Sequence, residues 1–262
     1  PKVLDKKRMG NCEATCQNER STGGQATLGE LDASGRLEAA NSKRFARLGD
    51  KKSTKTVVYP DGGVYKGEVD PETGVRQGFG EYRSKEGFVY KGEYRGDVAC
   101  GTGRLEQPDG SVYEGTWVGD KANGKGYYRQ PDGTEYEGEW LDNRKHGRGE
   151  ERTPEGPSYR GEFREDRKEG RGVADFPDGS RYDGEFRNDT LHGLGVFLFP
   201  TGKKYKGRWE DGKMNGPGEV FYPDGKSFRG NFKDDLRNGE GTMSWPDGRN
   251  FIDDSVLSIN DI

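Results

Sequence analysis

Residues 90–140 read YKGEYRGDVACGTGRLEQPDGSVYEGTWVGDKANGKGYYRQPDGTEYEGEW, and one pattern occurs three times within them. A Tyr-x-Gly-x-aromatic run begins at Tyr90, at Tyr113 and at Tyr136, so that successive copies start 23 residues apart. A Gly-x-Gly element keeps the same spacing, with copies that begin at Gly101 and Gly124. Periodicity of this kind predicts a repeat architecture in which each period forms one small structural unit.

The pattern extends over most of the 262 residues. Further pentapeptides of the same type lie at 159–163, 182–186, 205–209 and 228–232, and an earlier copy, YKGEV, lies at 65–69. The Gly-x-Gly element begins at residues 78, 101, 124, 147, 170, 193, 216 and 239. A Pro-Asp-Gly turn signal occurs at 60–62, 108–110, 131–133, 177–179, 223–225 and 246–248. Three elements that stay in register over this length exclude a chance arrangement.

The turn signal predicts β-hairpins. Gly adopts positive φ without steric cost, and Asp tolerates the left-handed region. The preceding Pro has no amide hydrogen to donate, so it belongs at the end of a strand. The sequence leaves open whether the turn is type I′ or a type I turn followed by a bulge. Because side chains alternate between the two faces of a strand, Tyr113, Gly115 and Trp117 are expected on one face and Glu114 and Thr116 on the other.

The aromatic and glycine positions predict the core. Glycines leave room for rings of a neighbouring strand to lie flat on the backbone, which explains how a chain with only 28% hydrophobic residues can form a core. Each buried ring removes roughly 150–250 Å² from water. The predicted core residues are Tyr90, Gly92, Tyr94, Tyr113, Gly115, Trp117, Tyr136, Gly138, Trp140, Tyr159, Gly161, Phe163, Tyr182, Gly184, Phe186, Tyr205, Gly207 and Trp209.

Taken together, these elements resemble the membrane occupation and recognition nexus (MORN) repeat over about residues 57–253. The resemblance implies an all-β fold, an elongated single-layer stack of about eight 23-residue β-hairpins with a mostly irregular N-terminal tail. The predicted domains are a basic low-complexity tail at 1–56, the repeat rod at 57–253 and a C-terminal capping or docking tail at 254–262. The repeat with Glu151, Arg152 and Pro157 is the most polar, and its hairpin is expected to be the least regular.

The charge distribution separates the tail from the repeats. Up to Lys55 the chain carries 12 Lys and Arg against 7 Asp and Glu, and the remainder carries 31 against 40. The acidic charge of the repeats argues against nucleic acid as a partner and makes anionic lipid a second choice, because both ligands bind net positive charge. No apolar stretch approaches the length needed to span a bilayer. The expected location is intracellular, cytoplasmic or cytoskeletal, with a cilium or an organelle-associated complex as further options.

Few residues suggest chemistry. His146 and His192 each precede a Gly-x-Gly element, so a repeated turn position explains them better than a role as general base. No catalytic, cofactor or metal site is predicted. A dual lipid anchor at Gly10 and Cys12 is a minor alternative, because Met9 would have to be an initiator and Ala14 stands where the myristoylation motif has Ser or Thr.

One stretch departs from the solvated outer face that the charges predict elsewhere. In residues 194–199, LGVFLF, apolar side chains occupy both faces of the expected strand, and Phe221 follows Leu198 by one period. A strand with two apolar faces is either covered twice or forms an interface. Leu194, Val196, Leu198 and Phe221 are therefore predicted to face outward and to bind a protein partner.

The favoured function is a non-catalytic scaffold that holds other protein subunits in a larger assembly. What the MORN resemblance implies is a role of the ciliary axoneme or radial-spoke type, or at a junction of membrane and cytoskeleton. Two alternatives stay open: a peripheral membrane protein that binds phospholipid, and the regulatory repeats of a longer lipid-kinase or methyltransferase enzyme.

Overall fold

The computed structural model describes residues 53–253. Within that range every regular element is a β-strand, which confirms the predicted all-β class. The strands are β1 Ser53–Val58, β2 Val64–Val69, β3 Arg76–Arg83, β4 Val89–Arg95, β5 Val98–Glu106, β6 Val112–Val118, β7 Lys121–Arg129, β8 Glu135–Leu141, β9 Arg144–Arg152, β10 Ser158–Arg164, β11 Arg167–Asp175, β12 Arg181–Arg187, β13 Thr190–Leu198, β14 Lys204–Glu210, β15 Lys213–Phe221, β16 Ser227–Lys233, β17 Leu236–Ser244 and β18 Asn250–Asp253.

The strands belong to two compact units. The first contains the described residues up to Gly103 together with Trp117–Asp120, and the second contains Arg104–Thr116 and the described residues from Lys121 onward. In the first unit β1 to β4 pair antiparallel in chain order. In the second unit β7 to β18 do the same, which is the succession of hairpins that the repeat predicts.

The first strand begins before the predicted end of the N-terminal tail. Strand β1 starts at Ser53 and pairs with β2, so the boundary expected at residue 56 lies inside a strand. The Thr and Val residues at 54, 56, 57 and 58 favour a strand because β-branched side chains pack well on a pleated surface. Val57 pairs with Tyr65, a core residue of the first repeat.

The pairing of β7 with β8 shows the core face. Gly124 lies opposite Trp140, Gly126 opposite Gly138 and Tyr128 opposite Tyr136. Residues directly opposite each other in an antiparallel pair share a face. The aromatic-Gly-aromatic run therefore packs against the Gly-x-Gly element, as the alternation predicts.

The Pro-Asp-Gly turn is a type I turn followed by a glycine bulge. Gln130 N donates to Thr134 O at 2.8 Å, and Gly133 N donates to Gln130 O at 3.0 Å. Gly133 has a φ of +85°, whereas Asp132 is not among the residues with positive φ. The Asp132 side chain accepts a hydrogen bond from Thr134 N at 2.8 Å. A type I′ turn would need positive φ at both central residues, so that alternative is wrong.

A second kind of turn forms hydrogen bonds to the preceding repeat, and the turn between β8 and β9 is an example. Its central residues, Asp142 and Asn143, have φ of 49° and 69°, the pattern of a type I′ turn. Asn143 N donates to Ala122 O at 3.0 Å, and the Asn143 side chain accepts from Ala122 N at 2.7 Å. Asp166 binds Lys145 in the same two ways, one repeat later. The sequence analysis does not predict this connection.

The tyrosine of each repeat lies over a pair of facing glycines. In β8 the register shifts between Gly138 and Glu139, and the Tyr136 hydroxyl donates to the Glu139 carbonyl at 2.9 Å. A methyl group at Gly138 would lie 2.5 Å from the Cα of Gly149 and equally close to the Tyr136 hydroxyl. Glycine at both positions is thus a steric requirement of the tyrosine's place.

Rings of neighbouring repeats then pack edge to face. Tyr136 lies 5.2 Å from Trp140 in its own repeat and 5.0 Å from Phe163 in the next, both at nearly perpendicular angles. This geometry is favoured by the ring quadrupoles. All aromatic side chains of the predicted core are buried: Tyr90, Tyr94, Tyr113, Trp117, Tyr136, Trp140, Tyr159, Phe163, Tyr182, Phe186, Tyr205 and Trp209.

Candidate partner-binding faces

Opposite the aromatic face, the second unit presents charged side chains over β7 to β12. The cross-strand partners alternate in sign, with Lys125 opposite Glu139 and Arg148 opposite Glu162. Some of these carboxylates also bind the backbone where the register shifts. Glu162, at the shift between β10 and β11, accepts a hydrogen bond from Arg171 N at 3.3 Å. Exposed pairs of this kind contribute about 0–1 kcal/mol each. This part of the outer face is a solvated surface.

The outer face changes character at β13. Leu194 is 59% exposed and Leu198 is 41% exposed, while Val196 is half-buried beside Lys206, its cross-strand partner. Phe221 is half-buried too. Leu194, Val196, Leu198 and Phe221, called here the outer patch, all lie on the face that the sequence predicts for them.

A lysine separates two members of the outer patch. Lys204 of β14 lies opposite Leu198 on one side and opposite Phe221 on the other. Its ammonium group is 4.5 Å from the centre of the Phe221 ring. This contact places a positive charge over the Phe221 ring, an arrangement that the ring quadrupole favours. The patch is therefore apolar with a cation at its centre.

The aromatic face has an exposed edge that the sequence analysis misses. The residue before the turn proline is aromatic in four successive repeats, and these half-buried rings are called here the turn-edge ladder: Phe176, Phe199, Tyr222 and Trp245. The sequence signal for it is an aromatic residue at 23-residue spacing directly before each of these four turns. The Pro-Asp-Gly pattern alone predicts the turn but not the ring that precedes it.

Basic residues face three rungs of this ladder across the turn. Phe199 N donates to Lys203 O at 2.8 Å, and the equivalent bonds join Tyr222 to Lys226 and Trp245 to Arg249. The Lys203 ammonium lies 5.7 Å from the Phe199 ring and 5.6 Å from the Tyr222 ring. Burial, and then the nearby Arg237, lower the pKa of Lys203 below its ordinary value. Cations close to ring faces are attracted to them.

A buried arginine supports the third rung. Arg237 is fully buried, with its guanidinium carbon 4.0 Å from the centre of the Phe228 ring. One of its terminal nitrogens donates to the Tyr222 hydroxyl at 2.7 Å. This contact holds the Tyr222 ring in place from below. The position taken by Phe228 is a tyrosine in the seven preceding repeats.

The most polar repeat places a carboxylate in the core. Glu151 lies opposite both Tyr136 and Tyr159 and forms ion pairs with Lys145 and, at 3.2 Å, with Lys168. Burial raises the pKa of Glu151, but the two lysines outweigh it and hold the pKa below its ordinary value. Strands β9 and β10 pair without a shift in register, so the irregularity expected of this hairpin is confined to its turn. The turn does differ, since Gly156 lacks the positive φ of the glycines in the Pro-Asp-Gly turns.

One predicted site cannot be placed on these faces. Gly10 and Cys12, the possible lipidation residues, lie outside the described residues. Within 53–253 no helix could cross a bilayer, and no group of three or more His, Cys, Asp or Glu side chains could hold a metal ion.

Comparison with known proteins identifies the repeat. The MORN repeat family matches seven consecutive segments, 90–112, 113–135, 136–157, 159–181, 182–204, 205–227 and 228–248, which together span more than half of the chain. The chain belongs to the MORN-repeat family. A comparison with curated proteins finds no match.

Some solved structures resemble parts of this MORN-repeat protein. The TCP domain of Drosophila melanogaster SAS-4 is 14% identical over 80% of this chain and 97% of that one, with a TM-score of 0.30. The TCP10 domain of Danio rerio CPAP is 20% identical over 78% and 97%, with a TM-score of 0.31. Both were solved with peptides of other proteins. A streptogramin B lyase is 14% identical over 79% and 70%, with a TM-score of 0.15. These scores support no inference about function.

MORN repeats are a non-catalytic repeat type, and they make this chain a repeat scaffold for protein or membrane interaction. The features that distinguish one repeat from another here are side chains on the two faces of the sheet. The outer patch and the turn-edge ladder are two places where several such apolar side chains lie together; single exposed apolar residues also occur elsewhere, for example Phe79, Leu141 and Ile252.

Proposed function

We propose that this MORN-repeat protein is a non-catalytic scaffold that binds other protein subunits through its outer patch. The observation that supports this is the exposure of Leu194 and Leu198 in one strand of a face that carries mainly charged side chains over β7 to β12. Apolar clusters of this kind on a soluble surface mark interaction sites. The protein then serves as a structural subunit of a larger assembly.

The energetics favour a protein partner. Burial of one leucine side chain contributes roughly 1.5–3 kcal/mol, and a few such anchors dominate most interfaces. Lys204 adds a charge between Leu198 and Phe221. We expect the partner to present an apolar side chain for each of these two residues and a carboxylate between them.

The assembly that we propose is intracellular and cytoplasmic or cytoskeletal, of the kind built at ciliary axonemes or at junctions of membrane and cytoskeleton. Direct phospholipid binding ranks second, because residues 56–262 carry 31 basic against 40 acidic residues and anionic membranes attract net positive charge. Regulation of a lipid-kinase or methyltransferase domain would require a longer chain.

The test is a double substitution in the outer patch. Leu198→Asp with Phe221→Asp should leave the circular dichroism spectrum and the melting temperature nearly unchanged, because both side chains face away from the aromatic core. The amount of each native partner that co-purifies with the tagged protein should fall at least tenfold, as expected when anchors are lost. Thr242→Asp with Asn250→Asp adds the same charge at exposed positions of the same face on β17 and β18, outside the outer patch, and serves as the matched control.

Two results would contradict the proposal. If the double variant unfolds, the two side chains contribute to the core and the assignment of faces is wrong. If it folds and retains every native partner, the interface lies elsewhere.

A further inference from the structure

The turn-edge ladder repeats along the sheet at a fixed step. Each repeat contributes two strands, and strands lie about 4.8 Å apart, so successive rungs are about 9.6 Å apart. Phe197 fills the space between the first two rungs, with its ring 6.0 Å from Phe176 and 4.7 Å from Phe199. The edge therefore presents a row of half-buried rings across β11 to β17.

We propose that the turn-edge ladder binds an extended proline-rich segment of another protein in the polyproline II conformation. This inference rests on the proposed function as a protein-binding scaffold, and it adds a second surface and the chemical class of its ligand. The ligand lies across the strands, with one turn of its helix on each repeat.

The periods of the two partners match. A polyproline II helix rises about 3.1 Å per residue with three residues per turn, so every third side chain returns to the same face after about 9.3 Å. Over three steps of the ladder the mismatch is only about 1 Å. An α-helix advances about 10.5 Å in seven residues and falls out of step by nearly 3 Å over the same span. In an extended strand, residues three apart point to opposite faces.

The chemistry of the ladder suits proline. Aromatic-lined grooves are the usual receptors for polyproline II segments, which have little conformational entropy to lose on binding. Tyr222 is fixed by Arg237, so this rung is already ordered before a ligand arrives. The ladder thus offers rigid ring faces to a rigid ligand.

The charges along the ladder indicate acidic residues in the ligand. Lys203, Lys226 and Arg249 stand opposite successive rungs. Lys226 and Arg249 pair with carboxylates of their own turns, Asp224 and Asp247. The ammonium group of Lys203 lies near both the second and the third rung, so an acidic side chain of the ligand at this place would lie close to a positive charge.

Other repeats of the same unit provide an internal contrast. At the position of the rungs they carry Gln107, Gln130 and Thr153, which have no ring for a proline to pack against. Gln130 has the same turn hydrogen bonds as Phe199. Glutamine is therefore compatible with the fold at this position. Substitution by glutamine removes the ring at Phe199, and at Tyr222 it also removes the hydroxyl that accepts a hydrogen bond from Arg237.

The experiment measures the binding of a labelled peptide to the full chain by fluorescence anisotropy. The probe is about twelve residues of repeated Pro-Pro-Glu, long enough to cross the ladder. A Ser-Gly-Glu peptide of the same length has the same charge without the helical preference. The variants are Phe199→Gln with Tyr222→Gln, and the matched control is Gln107→Ala with Gln130→Ala.

We expect saturable binding of the proline peptide to the wild-type chain and to the control variant, and at least tenfold weaker binding to the ladder variant. Circular dichroism reports whether the ladder variant folds, and Trp245→Gln, at the end of the ladder, is the substitute if it does not. Absence of saturable binding, equal binding of the Ser-Gly-Glu peptide, or unchanged binding to a folded ladder variant would each overturn the inference. Self-association of the wild type that the ladder substitutions abolish would identify a second copy as the occupant instead.

The outer-patch variant separates this inference from the proposed function. Leu198→Asp with Phe221→Asp should still bind the proline peptide as the wild type does, while it loses its protein partners. If it keeps those partners but the ladder variant loses the peptide, the outer patch fails as the interface and the ladder inference stands.

Discussion

Replacement of Glu151 by alanine should destabilise the repeats around it by about 2–3 kcal/mol. Glu151 is bound by Lys145 and Lys168, and the three side chains are only 13–20% exposed. Removal of one partner from a buried ion pair costs about 3–5 kcal/mol, whereas exposed pairs contribute about 1 kcal/mol or less. The small remaining exposure allows partial hydration of the lysines, so the expected cost lies between these two ranges, just below the range for buried pairs.

A triple variant distinguishes lost charge compensation from lost packing. Ala99 and Ala122 occupy the position of Lys145 and Lys168 in earlier repeats, and Ala174 occupies the position of Glu151 in the next. The variant with alanine at all three positions therefore copies side chains that the fold already accepts. It should be within about 1 kcal/mol of the wild type, because no uncompensated charge remains.

The pH dependence gives an independent measurement. The pKa of Glu151 is depressed in the folded state. The contribution of Glu151 to the free energy of unfolding is therefore fully present above its pKa in the unfolded chain, about 4.3, and is lost as pH falls through its pKa in the folded state. The difference between wild type and Glu151→Ala should therefore shrink below about pH 4. Hydrogen exchange of the β9 and β10 amides is the suitable assay, because repeat arrays need not unfold in one step. Equal destabilisation of the single and triple variants would refute this reasoning.

Two further predictions concern the repeat tyrosine and the membrane alternative. Tyr205→Phe should lower the free energy of unfolding in urea by about 1 kcal/mol, because the hydroxyl donates to the Arg208 carbonyl at 2.9 Å. Phe228→Leu should lower it further, because a whole ring is lost. A Tyr205→Phe variant as stable as the wild type would show that this hydrogen bond contributes nothing. The full chain should sediment only weakly with phosphatidylserine vesicles and should release them in about 0.5 M salt, whereas salt-resistant sedimentation would favour phospholipid as the ligand.

Much of the fold could be predicted from sequence because each 23-residue period forms the same kind of hairpin. Alternation placed Tyr136, Gly138 and Trp140 on one face, and the register of β7 with β8 places them there. The turn type could not be read, because Asp-Gly suits both a type I′ turn and a type I turn with a bulge. The backbone angle of Asp132 depends on the register of the strands that the turn connects.

The contacts between repeats were harder to predict. The turn at Asp142 and Asn143 fastens a hairpin to Ala122, a residue 21 positions earlier, and its sequence differs from repeat to repeat. Sequence alone predicts that Glu151 weakens its hairpin, because one of its two lysines, Lys168, comes from a strand of the next repeat. Both features depend on which residues the stacking brings together, and a single period does not contain that information.

The outer patch was found from sequence and the turn-edge ladder was not, for a physical reason. An apolar residue on a strand whose other face is already apolar violates the alternation, so Leu194 and Leu198 stand out. A ring before a turn violates nothing, because strand ends commonly carry aromatic residues. Its significance depends on the one-repeat step, which is visible only once the turns are known to lie along one edge.

Accessible apolar side chains lie on both faces of the second unit. The outer patch occupies β13 to β15, and the ladder runs along the aromatic face from Phe176, after β11, to Trp245, after β17. Side chains on opposite faces of one sheet do not contact each other, so the two surfaces can be occupied independently. The rings of the repeat core bury one another between repeats, whereas Leu194 and Leu198 of the outer patch stay accessible to solvent. We therefore expect substitutions in the outer patch to change binding more than they change stability, which Leu198→Asp with Phe221→Asp tests.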